Sequence, residues 1–160
     1  MTTSKQKQKH KLLPLVIYNP LIPVKGFLAM VTIFILWIRS EYKGNTRRLN
    51  ERFFRHETIH VYQQTEIWIT SIIIAVLSCL IFNLSLWWIL ATPLLPLLIY
   101  VICWIIEIIL PPYNMAYKNI CFETEARYNE NNPEYLNTRK LFQFKFLKYI
   151  SNKKYPSKKK

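Results

Sequence analysis

From Ile67 to Ile106 the chain carries no Asp, Glu, Lys or Arg, and most positions are Ile, Leu, Val, Trp or Phe. A run of that length holds two membrane crossings of about 20 residues each, with a tight turn between them. Asn83-Leu84-Ser85 supplies the turn, and Trp87 and Trp88 follow it at the depth where interfacial aromatics anchor a helix. The first crossing runs back into a polar stretch, so one helix is expected over 50–82, with Asn50 as its N-cap and Glu51 in its first turn. At 1.5 Å per residue that helix is roughly 45 Å long, more than a bilayer core needs, so its N-terminal part stands outside the hydrocarbon. The second crossing is expected over 86–110, kinked by Pro93 and Pro96.

The flanks are patterned less clearly. Residues 12–38 are apolar but carry Pro14, Pro20, Pro23 and Lys25-Gly26, which argue against a continuous helix. Side-chain type over Val31–Ile35 favours a strand, so a short β-hairpin or a re-entrant segment is expected there. A third helix is expected over 113–131. Asn132-Pro133 then reads as an N-cap and first-turn proline for a last helix over 133–150. Glu107, close to Pro111-Pro112, is expected to be interfacial and solvated. The whole is a mainly α, single membrane-associated domain over 1–160, with basic tails at 1–11 and 151–160.

Charge sharpens this picture. The formal balance is +13, yet no Lys or Arg lies between Arg55 and Lys118, and the 22 basic residues divide evenly between the two flanks. The positive-inside rule then places both termini in the cytoplasm and only the 83–85 turn outside. A pI near 9.8 is also the footprint of nucleic-acid binding. Beside such an apolar block, anionic lipid headgroups are the simpler partner, and no nucleic acid is expected. Phe142, Phe144, Phe146 and Tyr149 interleave with Lys140, Lys145 and Lys148, which suits docking on the headgroup layer. Cys79, Cys103 and Cys121 have no paired spacing and read as small buried residues.

The candidate chemistry lies at the start of the long helix, in His56-Glu57-Thr58-Ile59-His60. On a helix, two histidines four residues apart share one face and can hold one zinc ion, while Glu57 can take a proton from the attacking water. Ile67 lies nine residues, or about 14 Å of helix, beyond the motif's centre at Thr58, which puts the site at the cytoplasmic membrane surface. A catalytic zinc needs three protein ligands and an open position. The remaining histidine, His10, lies in the basic tail. Glu41 and Glu51 precede the motif closely, and Glu66 lies further along the same helix. Glu123 and Glu125 lie on the helix that follows the membrane hairpin, returned to the same membrane face. Helical spacing does not choose between these two. Gln63, two turns after His56, is either a supporting residue or a solvated helix glutamine. Tyr113 and Tyr117 are candidate oxyanion donors, and the extended segment at 31–35 is a candidate edge for strand addition by a substrate.

His56-Glu57-x-x-His60 with a downstream helical Glu123-Thr-Glu125-Ala126 resembles the gluzincin class of zinc metallopeptidases. The longer His-Glu-x-x-His-x-x-Gln pattern, ending at Gln63, recurs in some of them. Ala116 to Glu130 looks like a small group of bacterial membrane proteins of the same layout, and the likeness extends from about Lys25 to Tyr149. The resemblance implies a Zn2+ cofactor held by His56, His60 and a helical Glu, with Glu57 as catalytic base and a peptide or protein substrate. It also implies residence in a bacterial inner membrane. Aligned on Ala126, Glu123 is the third ligand and Glu125 the alternative. The residue that supports a histidine in the class then falls on Arg127, or on Asn129 if Glu125 is the ligand. Two other classes remain open: a non-catalytic metal-binding membrane protein, and an adaptor without metal.

Overall fold

The computed structural model describes residues 12–109 and 116–150. The tails, Tyr113 and the expected end of the second crossing at Leu110 lie outside the described residues. The chain is mainly helical, with one three-stranded sheet near its start: β1 (Leu15–Asn19), β2 (Ala29–Thr32) and β3 (Ile35–Arg39), in the order β1-β3-β2. β1 runs parallel to β3 and β2 antiparallel to it.

The sheet corrects the reading of 31–35 as one strand. Thr32 pairs with Ile35, so Ile33 and Phe34 are the turn between β2 and β3. Ile33 has φ 55°, a left-handed conformation that a β-branched residue adopts only at a cost. Helix α1 (Glu51–Phe82) offsets that cost. Its Gln64 accepts from the Ile33 N–H at 2.6 Å and donates to the Val31 carbonyl at 2.8 Å. Phe34 meets Trp68 edge to face, with ring centroids 5.7 Å apart. Strand alternation turns Leu36 and Ile38 inward, where they pack with Val31 and Val61.

α1 begins where its cap predicts, because Asn50 accepts from the Phe53 N–H at 3.0 Å. It ends at Asn83, whose left-handed backbone donates its N–H to Cys79. The first half of α1 is the hub of the fold. Its buried residues run from Thr58 to Ile67, whereas beyond them only Cys79 is buried and Ile73, Ile74, Leu77, Leu80, Ile81 and Phe82 are exposed. A 3₁₀ helix at Leu86–Leu94 leads into α2 (Leu95–Ile109) and carries Pro93. α1 and this second apolar stretch pack together. Glu51–Phe82 and Leu86–Ile109 are both long and apolar enough to cross a membrane. Glu107 is buried rather than solvated, and its Oε2 has no hydrogen-bond partner among the described residues.

The expected third helix is broken at Ile120 into α3 (Ala116–Asn119) and α4 (Cys121–Asn129). Ile120 turns extended and becomes fully buried with Ile67, Phe122 and Phe146, a core contact that a continuous helix forgoes. The expected last helix over 133–150 is also absent. A single turn, α5 (Tyr135–Thr138), gives way to extended backbone at Arg139, and a 3₁₀ turn follows at Lys145–Tyr149. Asn132 does not cap α5; it accepts from Glu134 N–H at 3.0 Å, a local turn bond. The chain leaves the helix at Arg139 because that side chain enters the core to meet Glu66 and Glu125.

Candidate metal centre

Two elements build the site, the first turns of α1 and the length of α4. Residues four apart on α1 stack on one face, so His56 and His60 sit with ring centroids 4.8 Å apart. α4 lies across that face and brings Glu123 between them. The His60 Nε2 is 3.2 Å from the His56 Nε2 and 3.4 Å from the Glu123 Oε1, and the His56 Nε2 is 3.6 Å from the Glu123 Oε2. The three side chains form a group that could hold a metal ion. Glu125, two residues along α4 from Glu123, points the other way and is fully buried against Gln63, Tyr135 and Arg139.

Each imidazole is oriented from behind. The His56 Nδ1 lies 2.8 Å from the Glu130 Oε2, and the His60 Nδ1 lies 2.7 Å from the Gln63 Oε1. An ionised carboxylate and an amide oxygen only accept, so both Nδ1 atoms donate, and both Nε2 atoms face Glu123, donating to it when protonated and offering a lone pair when not. Glu130 is itself held by Arg52. Burial alone would lift its carboxyl; the hydrogen bonds and charges of His56 and Arg52 outweigh that and keep it below the usual range. Glu123 shows the same balance more strongly. Burial acts against its charge, and hydrogen bonds from His56 and His60 hold it well below the ordinary carboxylate range. Its Oε1 also accepts from Tyr117 at 2.8 Å and Tyr100 at 3.2 Å, and its Oε2 from Arg127 at 3.3 Å. Burial and the adjacent Glu123 charge push the Tyr117 phenol up, so it stays a donor.

Glu57 does not join the three. It lines an open cleft of about 480 Å³ together with His56, Tyr117 and Glu130 on one side and Gly26, Phe27, Leu28 and Ala29 on the other. Arg48 and Arg52 stand in the same lining.

The resemblance puts the position that supports a histidine at Arg127, which departs from the class's pattern, or at Asn129 if Glu125 is the ligand. Arg127 meets Glu123, and the Asn129 amide donates to the Glu125 carbonyl and to Tyr149. The carboxylate behind His56 is Glu130, which spacing overlooked. The signal existed: Glu130 follows Glu123 by seven residues, two helical turns, and so shares its face of α4. Gln63 supports His60 and is not a solvated glutamine; it is 1% exposed. His10 and Tyr113 lie outside the described residues. Comparisons of the chain with protein-family models, with curated proteins and with solved structures find no match.

Proposed function

We propose that this protein is a membrane-embedded, zinc-dependent metallopeptidase that works at the cytoplasmic face of a bacterial inner membrane. The observation that carries the reading is the convergence of two Nε2 atoms and a carboxylate, each braced from behind, beside a cleft lined by Glu57. Zinc–ligand bonds of about 2.0–2.1 Å in a tetrahedron imply ligand atoms roughly 3.3 Å apart. The observed separations of 3.2, 3.4 and 3.6 Å suit that spacing, and two imidazoles with one carboxylate suit zinc chemically. Three protein ligands leave a fourth position free, as a catalytic site requires.

Bound zinc supplies a Lewis acid that makes water nucleophilic near neutral pH. The chain's own residues supply the rest. Glu57 accepts the proton of the attacking water and delivers it to the departing nitrogen. Tyr117, at the cleft and on Glu123, is a donor within the same lining. The cleft wall favours an extended peptide. Leu28 O accepts from Arg39 N–H, so ladder alternation turns the backbone groups of Ala29 away from β3, at a sheet edge that lines the cleft. At Val31 and Ile33 the same edge is already used by Gln64, which moves the open part of it away from 31–35.

The gluzincin resemblance supports the assignment of Glu123 and Glu57. The test is direct. Purified protein in detergent should contain near-stoichiometric zinc, and His60→Ala should lose it. Glu57→Gln should keep the zinc while hydrolysis of a quenched-fluorescent peptide library falls by at least about 100-fold. A wild-type protein that takes up no zinc would sink the reading, and Glu57→Gln with unaltered hydrolysis would remove Glu57 as base.

A further inference from the structure

Behind His60 the structure holds a chain of buried polar groups that the metal reading alone does not use. The Gln63 Oε1 faces the His60 Nδ1 at 2.7 Å. Its Nε2 donates to the Phe122 carbonyl at 3.0 Å and to the Glu125 Oε2 at 2.9 Å. Both of those partners only accept, so the amide has one satisfied orientation, nitrogen toward α4 and oxygen toward His60. Glu125 is fixed in turn. Its Oε1 accepts from the Arg139 Nε at 2.7 Å and from the Tyr135 hydroxyl at 2.7 Å, which leaves Oε2 for Gln63. Arg139 spends its two remaining nitrogens on the Glu66 carboxylate, at 3.0 and 3.1 Å. Gln63, Glu66, Glu125 and Arg139 are each 3% exposed or less.

We propose that Gln63 is a positioning residue whose amide, oriented by Glu125, fixes His60 as its Nδ1–H tautomer and so keeps Nε2 free to bind a metal. An imidazole in the other tautomer carries its proton on Nε2 and offers no lone pair there. Were the Gln63 amide reversed, its NH2 would face Nδ1 and favour that non-binding form. Glu125 forbids the reversal, because an amide oxygen would then oppose a carboxylate in a buried site, where unpaired acceptors are costly. The role of Glu125 is thus to act on the site through Gln63, without touching the metal.

The inference rests on the metal-centre reading, yet its first readout needs no metal. Nitrogen NMR of the metal-free, histidine-labelled protein in alkaline buffer should show His60 as a single Nδ1–H tautomer. In Glu125→Gln the new amide keeps its oxygen on Arg139 and Tyr135, turns its NH2 on Gln63, and sets donor against donor. His60 should then lose its single tautomer, zinc affinity measured against a competing chelator should fall about 10–100-fold, and the His56 ring signals should stay in place. Gln63→Met leaves the Glu66–Arg139–Glu125 ion group intact and should give the same loss, which covers the case of a Glu125 variant that does not fold. Gln63→Glu combined with Glu125→Gln restores an acceptor at Nδ1 and should recover the tautomer. The proposal is overturned if Gln63→Met leaves tautomer and zinc affinity within twofold of wild type, or if it moves His56 and His60 alike. A wild type with the Nδ1–H tautomer but no zinc uptake would uphold the relay and overturn the metal reading instead.

Discussion

His56 presents Nε2 to Glu123 because Glu130 occupies its other nitrogen, and the strength of that arrangement depends on charge. Glu130 is ionised at neutral pH, held below its ordinary value of 4.5 by His56 and Arg52 against the cost of burial. A carboxyl lowered in the folded state contributes its full stability above that ordinary value and loses it as pH falls toward the folded-state value. Glu130→Leu should therefore melt below wild type in detergent at pH 6 and above. The gap between the two should close as the pH falls below that ordinary value toward the lowered folded-state value, where wild-type Glu130 gains its proton. Metal affinity reports the same contact separately: without an acceptor at Nδ1, the variant should bind zinc about 10–100-fold more weakly. Unchanged affinity would mean that His56 is oriented by its packing alone. Glu130 also marks the limit of a short motif. The pair His56 and His60 is legible from spacing, and the return of the chain to the same face points to Glu123 and Glu125 without choosing between them. Glu130 required knowing that α4 packs on α1 so that both Glu123 and Glu130 reach the histidines.

At the scale of elements, α1 was legible because its signals are local: an Asn cap, an acidic first turn and an unbroken apolar run. The pieces after α3 were not. Lys140, Lys145 and Lys148 among aromatics resemble an amphipathic helix, but the backbone is bent by a demand from outside the segment. Arg139 is 3% exposed and shared by Glu66 of α1 and Glu125 of α4. No periodicity announces that a particular arginine will be buried. The β2–β3 turn failed in the same way, since Ile33 and Phe34 have strand propensity and only Gln64 makes a turn there affordable. Arg139→Met tests whether the ion group holds the C-terminal segment. Removing the cation leaves two carboxylates buried without a counter-charge, so a loss of about 3–5 kcal/mol is expected. Melting in detergent, together with faster hydrogen exchange from Tyr135 to Tyr149, measures it. Destabilisation below about 1 kcal/mol would show that the segment is held by Phe146 and its neighbours instead.

For the whole molecule, two distributions coincide. Basic residues stop at Arg55 and resume at Lys118, while burial along α1 stops near Ile67 and apolar side chains beyond it lie open. A water-soluble chain with this much open apolar surface would associate, because contiguous apolar patches of that size seek a partner. Two neighbouring apolar helices joined by three residues are long and apolar enough to cross a membrane, and in the proposed membrane setting the charge division would set their sense. The metal group and the Arg139 ion group pack against the part of α1 before or at Ile67, and the sheet with its turn packs against Val61, Gln64 and Trp68, so they fall together at one end of the helix. That end is in the cytoplasm if the positive-inside rule decides. Single cysteines can test this in a chain whose Cys79, Cys103 and Cys121 are replaced by Ser. Leu84→Cys, in the exposed turn, should react with an impermeant maleimide in right-side-out membrane vesicles. Lys25→Cys and Lys140→Cys, exposed positions in the two flanks, should react only in inverted vesicles or after detergent. Labelling of all three from one side would mean that neither helix crosses. The reverse pattern would put the metal group outside the cell, where the division of charge would no longer explain its orientation.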